Sequence, residues 1–418
     1  MASRAPALPR LMAPRKHEPT GRLTLLHFLH RGGVALIMLA AFELLSGCMD
    51  AVAPRPAIAY TGDPIVDGNA ELAAAPPKDR VLWDDRIAAT ALRLGNFAEA
   101  KAKLDDAIVR GGGIINNTAD AAKARGLFHP EDTKTFIGEP YERVMDYYYR
   151  AILYWRDGEP DNARACYRTG QVLSSDVENH TYKSDFMLLY YLEGFASEKL
   201  GEDASDVFAR AQAITKRHLP PYNKDANVLV FAEYGHGPVK YAGGEYSEQL
   251  RFYTEESRIR SARLIVDGHK VWLPPYDNLN YQATTRGGRV MDHILGNKAV
   301  FKGTTDTVGN VALVGAAVAA DQGSRQGDEA AIGLAAFGLI SKIASAATTP
   351  QADIRAWDNL PQFVSFAALR LAPGDHSGQV EYLTRDGDPD PDLTREVTIT
   401  VPADPSANTV VFLSELLH

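Results

Sequence analysis

The sequence is short of cysteine, of surplus positive charge and of long apolar runs. Its 418 residues include only 2 cysteines, Cys48 and Cys166, so no disulfide framework can staple the fold. A net charge of −9 argues against nucleic acid as a partner, because that affinity rests on neutralising phosphates with Lys and Arg. No apolar run matches the roughly 20 residues of a permanent membrane-spanning helix. HExxH, GxSxG, Cys-x-x-Cys and GxxxxGK[ST] are all missing, and the 11 histidines are scattered without ligand spacing. These absences leave no expected catalytic residue, metal site or cofactor. What is present is ordinary globular composition, 45% hydrophobic and 23% charged, in a chain long enough for two domains beyond a targeting segment.

The amino terminus reads as an export signal. Arg10, Arg15, Lys16, Arg22 and Arg31 give a basic head, and Val34 to Phe42 a short apolar core. Leu45-Ser46-Gly47-Cys48 follows at once and resembles a bacterial lipobox. That resemblance implies diacylglyceryl modification of the Cys48 thiol, cleavage before it and acylation of the new amine. Several acyl chains anchor a protein stably where one is marginal. Met49 stands where an Asp would retain such proteins in the inner membrane, so the resemblance implies the outer membrane. Residues 49 to about 80 are rich in Pro, Ala and Gly without a sustained period and read as an extended tether.

The chain is organised around Gly138 to Gly170. Val144, Tyr147, Tyr148, Ala151, Tyr154 and Trp155 make one broad helical face. Gly158 suits a left-handed cap and Pro160 the first turn of a second helix, which sets Ala163, Tyr167 and Gly170 on one side. The same small-large-small triplet recurs as Ala100, Leu104, Ala107 after Gly95, and as Ala204, Phe208, Ala211 after Gly201. Seven residues before the three turn glycines stand Ala88, Ala151 and Gly194. Three such units in series predict a tetratricopeptide-like array. Counting faces from the turn glycines puts Tyr148, Trp155, Tyr191 and Phe195 near its concave wall, as partner-binding candidates that are equally good core residues. Cys166, beside the packing ring Tyr167, reads as an interface residue rather than a reactive thiol.

Beyond Asp225 the pattern turns to strands: 227–233, 260–266, 270–273, 280–285, 363–371, 379–384, 396–401 and 408–413. Asp267-Gly268 reads as a hairpin turn. Gly235-His236-Gly237-Pro238 fits no phosphate-loop spacing and reads as a structural turn, with Glu233 the one nearby carboxylate for His236. Asp386, Asp388, Asp390 and Asp392 alternate, either as a solvated acidic turn or as oxygen ligands for calcium. Residues 308–320 and 330–347 are Ala/Gly-rich and read as a helical hairpin: packed on the β-domain, at an oligomer contact, or dipping into a bilayer.

Three islands, Phe136 to Arg164, Asn227 to Lys240 and Ala352 to His376, are similar to an uncharacterised family of bacterial outer-membrane lipoproteins with tetratricopeptide-like repeats. The resemblance implies architecture and address, and no activity. The expected fold class is therefore α+β: a tetratricopeptide-like array followed by a β-rich, sandwich-like domain with the Ala/Gly hairpin inserted. The expected divisions are 1–47 signal peptide, 48–80 tether, 81–218 helical domain and 225–418 β-rich domain with the hairpin at 308–347. The expected function is that of a lipid-anchored, periplasm-facing, non-enzymatic scaffold. It would grip an envelope protein in secretion, polysaccharide export or outer-membrane assembly. An enzyme using His236, Glu233 and the Glu139–Arg143 pair between array and β-domain is one alternative. A pore or homo-oligomer built on the Ala/Gly hairpin is another.

Overall fold

The computed structural model describes residues 57–112, 135–175, 186–216, 218–244, 249–285, 352–404 and 406–416. Ile58–His418 forms one compact unit. Cys48, the export signal and the Ala/Gly hairpin lie outside the described residues. The fold is mixed α+β.

The stretch read as an extended tether carries helix α1, Pro64–Ala74. The Asp63 carboxylate accepts from the N–H groups of Ile65 and Val66, and Pro64 takes the first helical position. Those two start signals outweigh the Pro/Ala/Gly composition. Gly68 then lets α1 sit tightly on Ile87, where a Cβ would stand 2.9 Å from the side chain.

Six helices follow in three pairs: α2 (Arg80–Arg93) with α3 (Phe97–Gly112), α4 (Pro140–Arg156) with α5 (Pro160–Ser174), and α6 (Met187–Lys199) with α7 (Ser205–Ile214). Gly95, Gly158 and Gly201 turn the three corners at φ 74°, 79° and 80°, which an L side chain rarely adopts. After each glycine the next N–H reaches back five residues, Asn96 to Ala91, Glu159 to Tyr154 and Glu202 to Ser197, at 2.8, 2.9 and 2.9 Å. This closes the free carbonyls of the helix end in the same way three times. The spacing residues are buried as the sequence predicts, from Ala88, Ala100 and Leu104 to Ala163, Tyr167 and Ala211.

Among the described residues the strands form two four-stranded sheets and a hairpin. They are β1 (Val228–His236), β2 (Val239–Gly243), β3 (Gln249–Tyr253), β4 (Ile259–Val266), β5 (His269–Leu273), β6 (Asp277–Asn278), β7 (Pro361–Leu369), β8 (Gly374–Thr384), β9 (Arg395–Val401) and β10 (Thr409–Ser414). One sheet has the order β10-β1-β7-β6, with β10 parallel and β7 antiparallel to β1. The other has the order β5-β4-β8-β9, and β2 pairs β3 alone. Asp267 and Gly268 turn the β4–β5 corner, both at positive φ.

Sequence and structure part at two places here. Residues 280–285 are not a strand but helix α8 (Leu279–Thr285), because the Asn278 side chain accepts from the Tyr281 N–H at 3.2 Å and starts a helix. The β2–β3 hairpin was not expected at all.

Strand β1 is buried on both faces, which its unbroken apolar run reflects. Leu229 and Phe231 join Val364 and Phe366 of β7 in a core shared with the helices. Val228, Val230 and Ala232 point the other way, into a second core with Leu264, Val380 and Ile399 of the opposite sheet. The central sheet therefore lies between a helical layer and a second sheet.

Candidate functional site

The three islands meet at one boundary, between helices α2 and α4 and the strands. Glu233 of β1 points to the helical side and is fully buried. Arg93 of α2 donates its Nε–H to Glu233 Oε1 at 2.5 Å, and Tyr149 of α4 donates its hydroxyl to the other carboxylate oxygen. Ser414 of β10 donates to Oε1 at 2.6 Å. Arg93 continues to the Asn359 carbonyl at 2.6 Å. A charge pair taken out of water needs such added hydrogen bonds to balance its lost solvation.

A second pair lies nearby. Glu142 of α4 accepts from Lys240 Nζ at 2.5 Å, from the Trp357 N–H at 2.8 Å and from the Glu139 N–H at 2.6 Å. One carboxylate thus joins the helix start, the hairpin strand β2 and the segment before β7. Lys240 also donates to the Arg355 carbonyl at 2.9 Å. Further along the sheet, Asp277 of β6 accepts from the first free N–H groups of α6, Met187 at 2.9 Å and Leu188 at 2.8 Å. A carboxylate at a helix N-terminus satisfies open donors and meets the positive end of the dipole.

Between α2 and α4, Asp85 and Asp146 share a hydrogen bond with both side chains out of water. Burial pushes Asp146 up to about 7 and holds Asp85 well above the ordinary carboxylate range. Two adjacent carboxyls cannot both ionise there, so one proton stays with the pair.

The four rings expected on an open partner wall are inside the protein. Tyr148 lies edge-on to Phe231, and Tyr191 and Phe195 meet Phe366 with ring centres 5.9 and 5.7 Å away. Trp155 touches Phe195 and donates its indole N–H to the Tyr167 hydroxyl at 3.0 Å. Strands β1 and β7 occupy the wall that a partner was expected to take. The apolar density of those helices is the requirement of an internal layer.

His236 and Glu233 are not brought together. They stand at odd spacing on β1, so their side chains leave opposite faces; His236 is exposed and Glu233 is held by Arg93, Tyr149 and Ser414. The Gly235 corner has φ 75° and donates its N–H to Glu415 at 2.6 Å. Of the alternating aspartates, Asp390 is buried and pairs with Arg258 while its N–H meets the Tyr382 carbonyl, so the run is folded as a turn. Among the described residues no group of His, Cys, Asp and Glu could hold a metal ion. Burial pushes the Cys166 thiol up to about 12, which suits a packing residue.

The sequence reading missed Arg93, Lys240 and the Asp85–Asp146 pair. The available signal was a charged residue on an otherwise apolar face, as in Ala91-Leu92-Arg93 or Met145-Asp146-Tyr147. Comparison with protein families, with curated proteins and with solved structures finds no match.

Proposed function

We propose that the chain is a lipid-anchored envelope protein working as a non-enzymatic scaffold. In this reading the three helix pairs are a tetratricopeptide-like array whose inner wall is filled by its own sheet. The recurrence of the turn geometry at Gly95, Gly158 and Gly201 supports the repeat. Cys48, acylated after cleavage, would fix the chain at the outer membrane, facing the periplasm. The partner would be an envelope protein of a secretion, polysaccharide-export or outer-membrane assembly machine.

The observation that carries the reading is the β2–β3 hairpin. Lys240 and Phe252 face inward, onto Glu142 and Tyr141, and hold a two-stranded sheet that would be marginal alone. The alternate residues face out: Val239 and Tyr253 sit directly across from each other, with Tyr241 beside them, all largely exposed. Both strand edges are unpaired among the described residues. An apolar face with free edges, held rigidly, suits an extended strand of a partner protein.

The anchoring half is tested by Cys48→Ser with a radiolabelled fatty acid and envelope fractionation. The reading expects loss of the label and release from the outer membrane. Unchanged labelling and fractionation would overturn it.

A further inference from the structure

A cavity of about 540 Å³ is lined by none of the buried charges and by no residue of the β2–β3 hairpin. Its walls come from the segment after α7 (His218, Leu219, Pro221), from β5 and the prolines that follow it, and from the last residues of β7. Two features of the topology create it. Strand β6 pairs with β7 only at Phe363 and Val364, so among the described residues one edge of β7 is open from Ser365 onward. Strand β5 is the outermost strand of its sheet among the described residues, so its edge is open there as well. Between the two edges β7 supplies Ala367, Ala368 and Leu369, and the side-chain volume the two alanines lack is the space.

The lining is mostly apolar, with Leu219, Val271, Pro275 and Tyr276 among it, and a volume of this size is that of a small-molecule site. The basic side chains on the wall are Lys270 and His218, and no carboxylate lines it. Neither residue has an ion-pair partner among the described residues. Trp272, 57% exposed, stands at the rim with the Arg263 guanidinium 5.3 Å from its ring centre. A peptide would find no continuous ladder here, because the two open edges belong to different sheets. We infer that this cavity binds an amphiphile, a flexible acyl chain lying along Val271 and the two alanines with its anionic head beside Lys270 and His218.

The probe is dodecanoate, used below its micelle concentration, with dodecanol as the uncharged counterpart. The protein is the full chain carrying Cys48→Ser. Trp272 reports binding: Trp155 and Trp357 are buried elsewhere, and Trp83 of α2 lies under the Arg86 guanidinium and does not line the cavity. The expected result is a saturable blue shift in emission with dodecanoate that disappears in Trp272→Phe. Lys270→Glu should weaken dodecanoate by up to about fivefold, the scale of one partly exposed charge pair, and leave dodecanol unchanged. Ala368→Phe should abolish binding of both, and Val271→Phe serves if that variant does not fold. A titration without saturation, or binding indifferent to the filling variants, overturns the proposal. Equal effects of Lys270→Glu on both probes overturn the assigned head group. Flotation with anionic vesicles in the absence of any monomer binding would assign the acyl contact to a membrane surface and overturn the cavity.

Discussion

Arg93 and Glu233 stand 140 residues apart in the chain and meet at 2.5 Å with both side chains out of water. This contact ties the first helical pair to the central strand. Removing one partner strands a buried charge, so Glu233→Ala should cost about 3–5 kcal/mol in urea unfolding. Replacing both, as Arg93→Met with Glu233→Leu, should cost clearly less than either single change. A double variant as unstable as the sum of the two singles would contradict the pair.

The Asp85–Asp146 pair sets the pH dependence. Burial raises both above an unfolded value of about 3.9, and it raises the neighbouring Asp84 to about 6. The folded chain thus binds more protons than the unfolded chain in this window. The stabilisation is complete below about pH 4 and is lost as pH rises toward about 7. The urea midpoint should fall across that range. Asp146→Asn should flatten the fall, because the amide keeps a hydrogen bond to Asp85 and does not titrate. Glu142 and Arg143 of α4 and Asp84 of α2 also face the pair. A midpoint that instead rises steadily with pH and ignores Asp146→Asn would refute the assignment.

Close approach of the last helix pair depends on Gly194, where a Cβ would stand 2.9 Å from the Phe208 ring. Gly194→Ala should lower stability by about 1–3 kcal/mol through overpacking. Combining it with Phe208→Leu should recover part of that loss. No recovery would show that the backbone at this position, rather than the ring, is the obstacle.

How much of this was legible in the sequence follows from the range of each interaction. The turn glycines, the small-large-small triplets and the Asp267-Gly268 hairpin are local, and residues a few positions apart announce them. Asp63-Pro64 and Asn278 were local too, yet composition at one and an apparent strand pattern at the other obscured them. Tyr148, Tyr191 and Phe195 read equally as a wall for a partner and as core, because periodicity says which face is apolar and not what covers it. Only the chain's return as β1 and β7 decides that. The charge pairs between Arg93 and Glu233, and between Glu142 and Lys240, join residues with no local relation and left only the trace of a charge on an apolar face.

The hairpin should loosen when its pin is cut. Lys240→Met leaves Glu142 without its cation and should speed amide exchange in β2 and β3 well before the rest of the sheet system responds. Exchange that rises uniformly through β1 and β7 would show that the hairpin is not a separately held element.

The central claim is that a partner strand docks on the exposed face of that hairpin. The most direct measurement is photocrosslinking in native envelopes from benzoylphenylalanine placed at Tyr253, in the chain with and without Tyr241→Ser. The account predicts one discrete adduct with an envelope protein, lost with Tyr241→Ser while the folded level of the chain is unchanged. No adduct, or one indifferent to Tyr241→Ser, would contradict it.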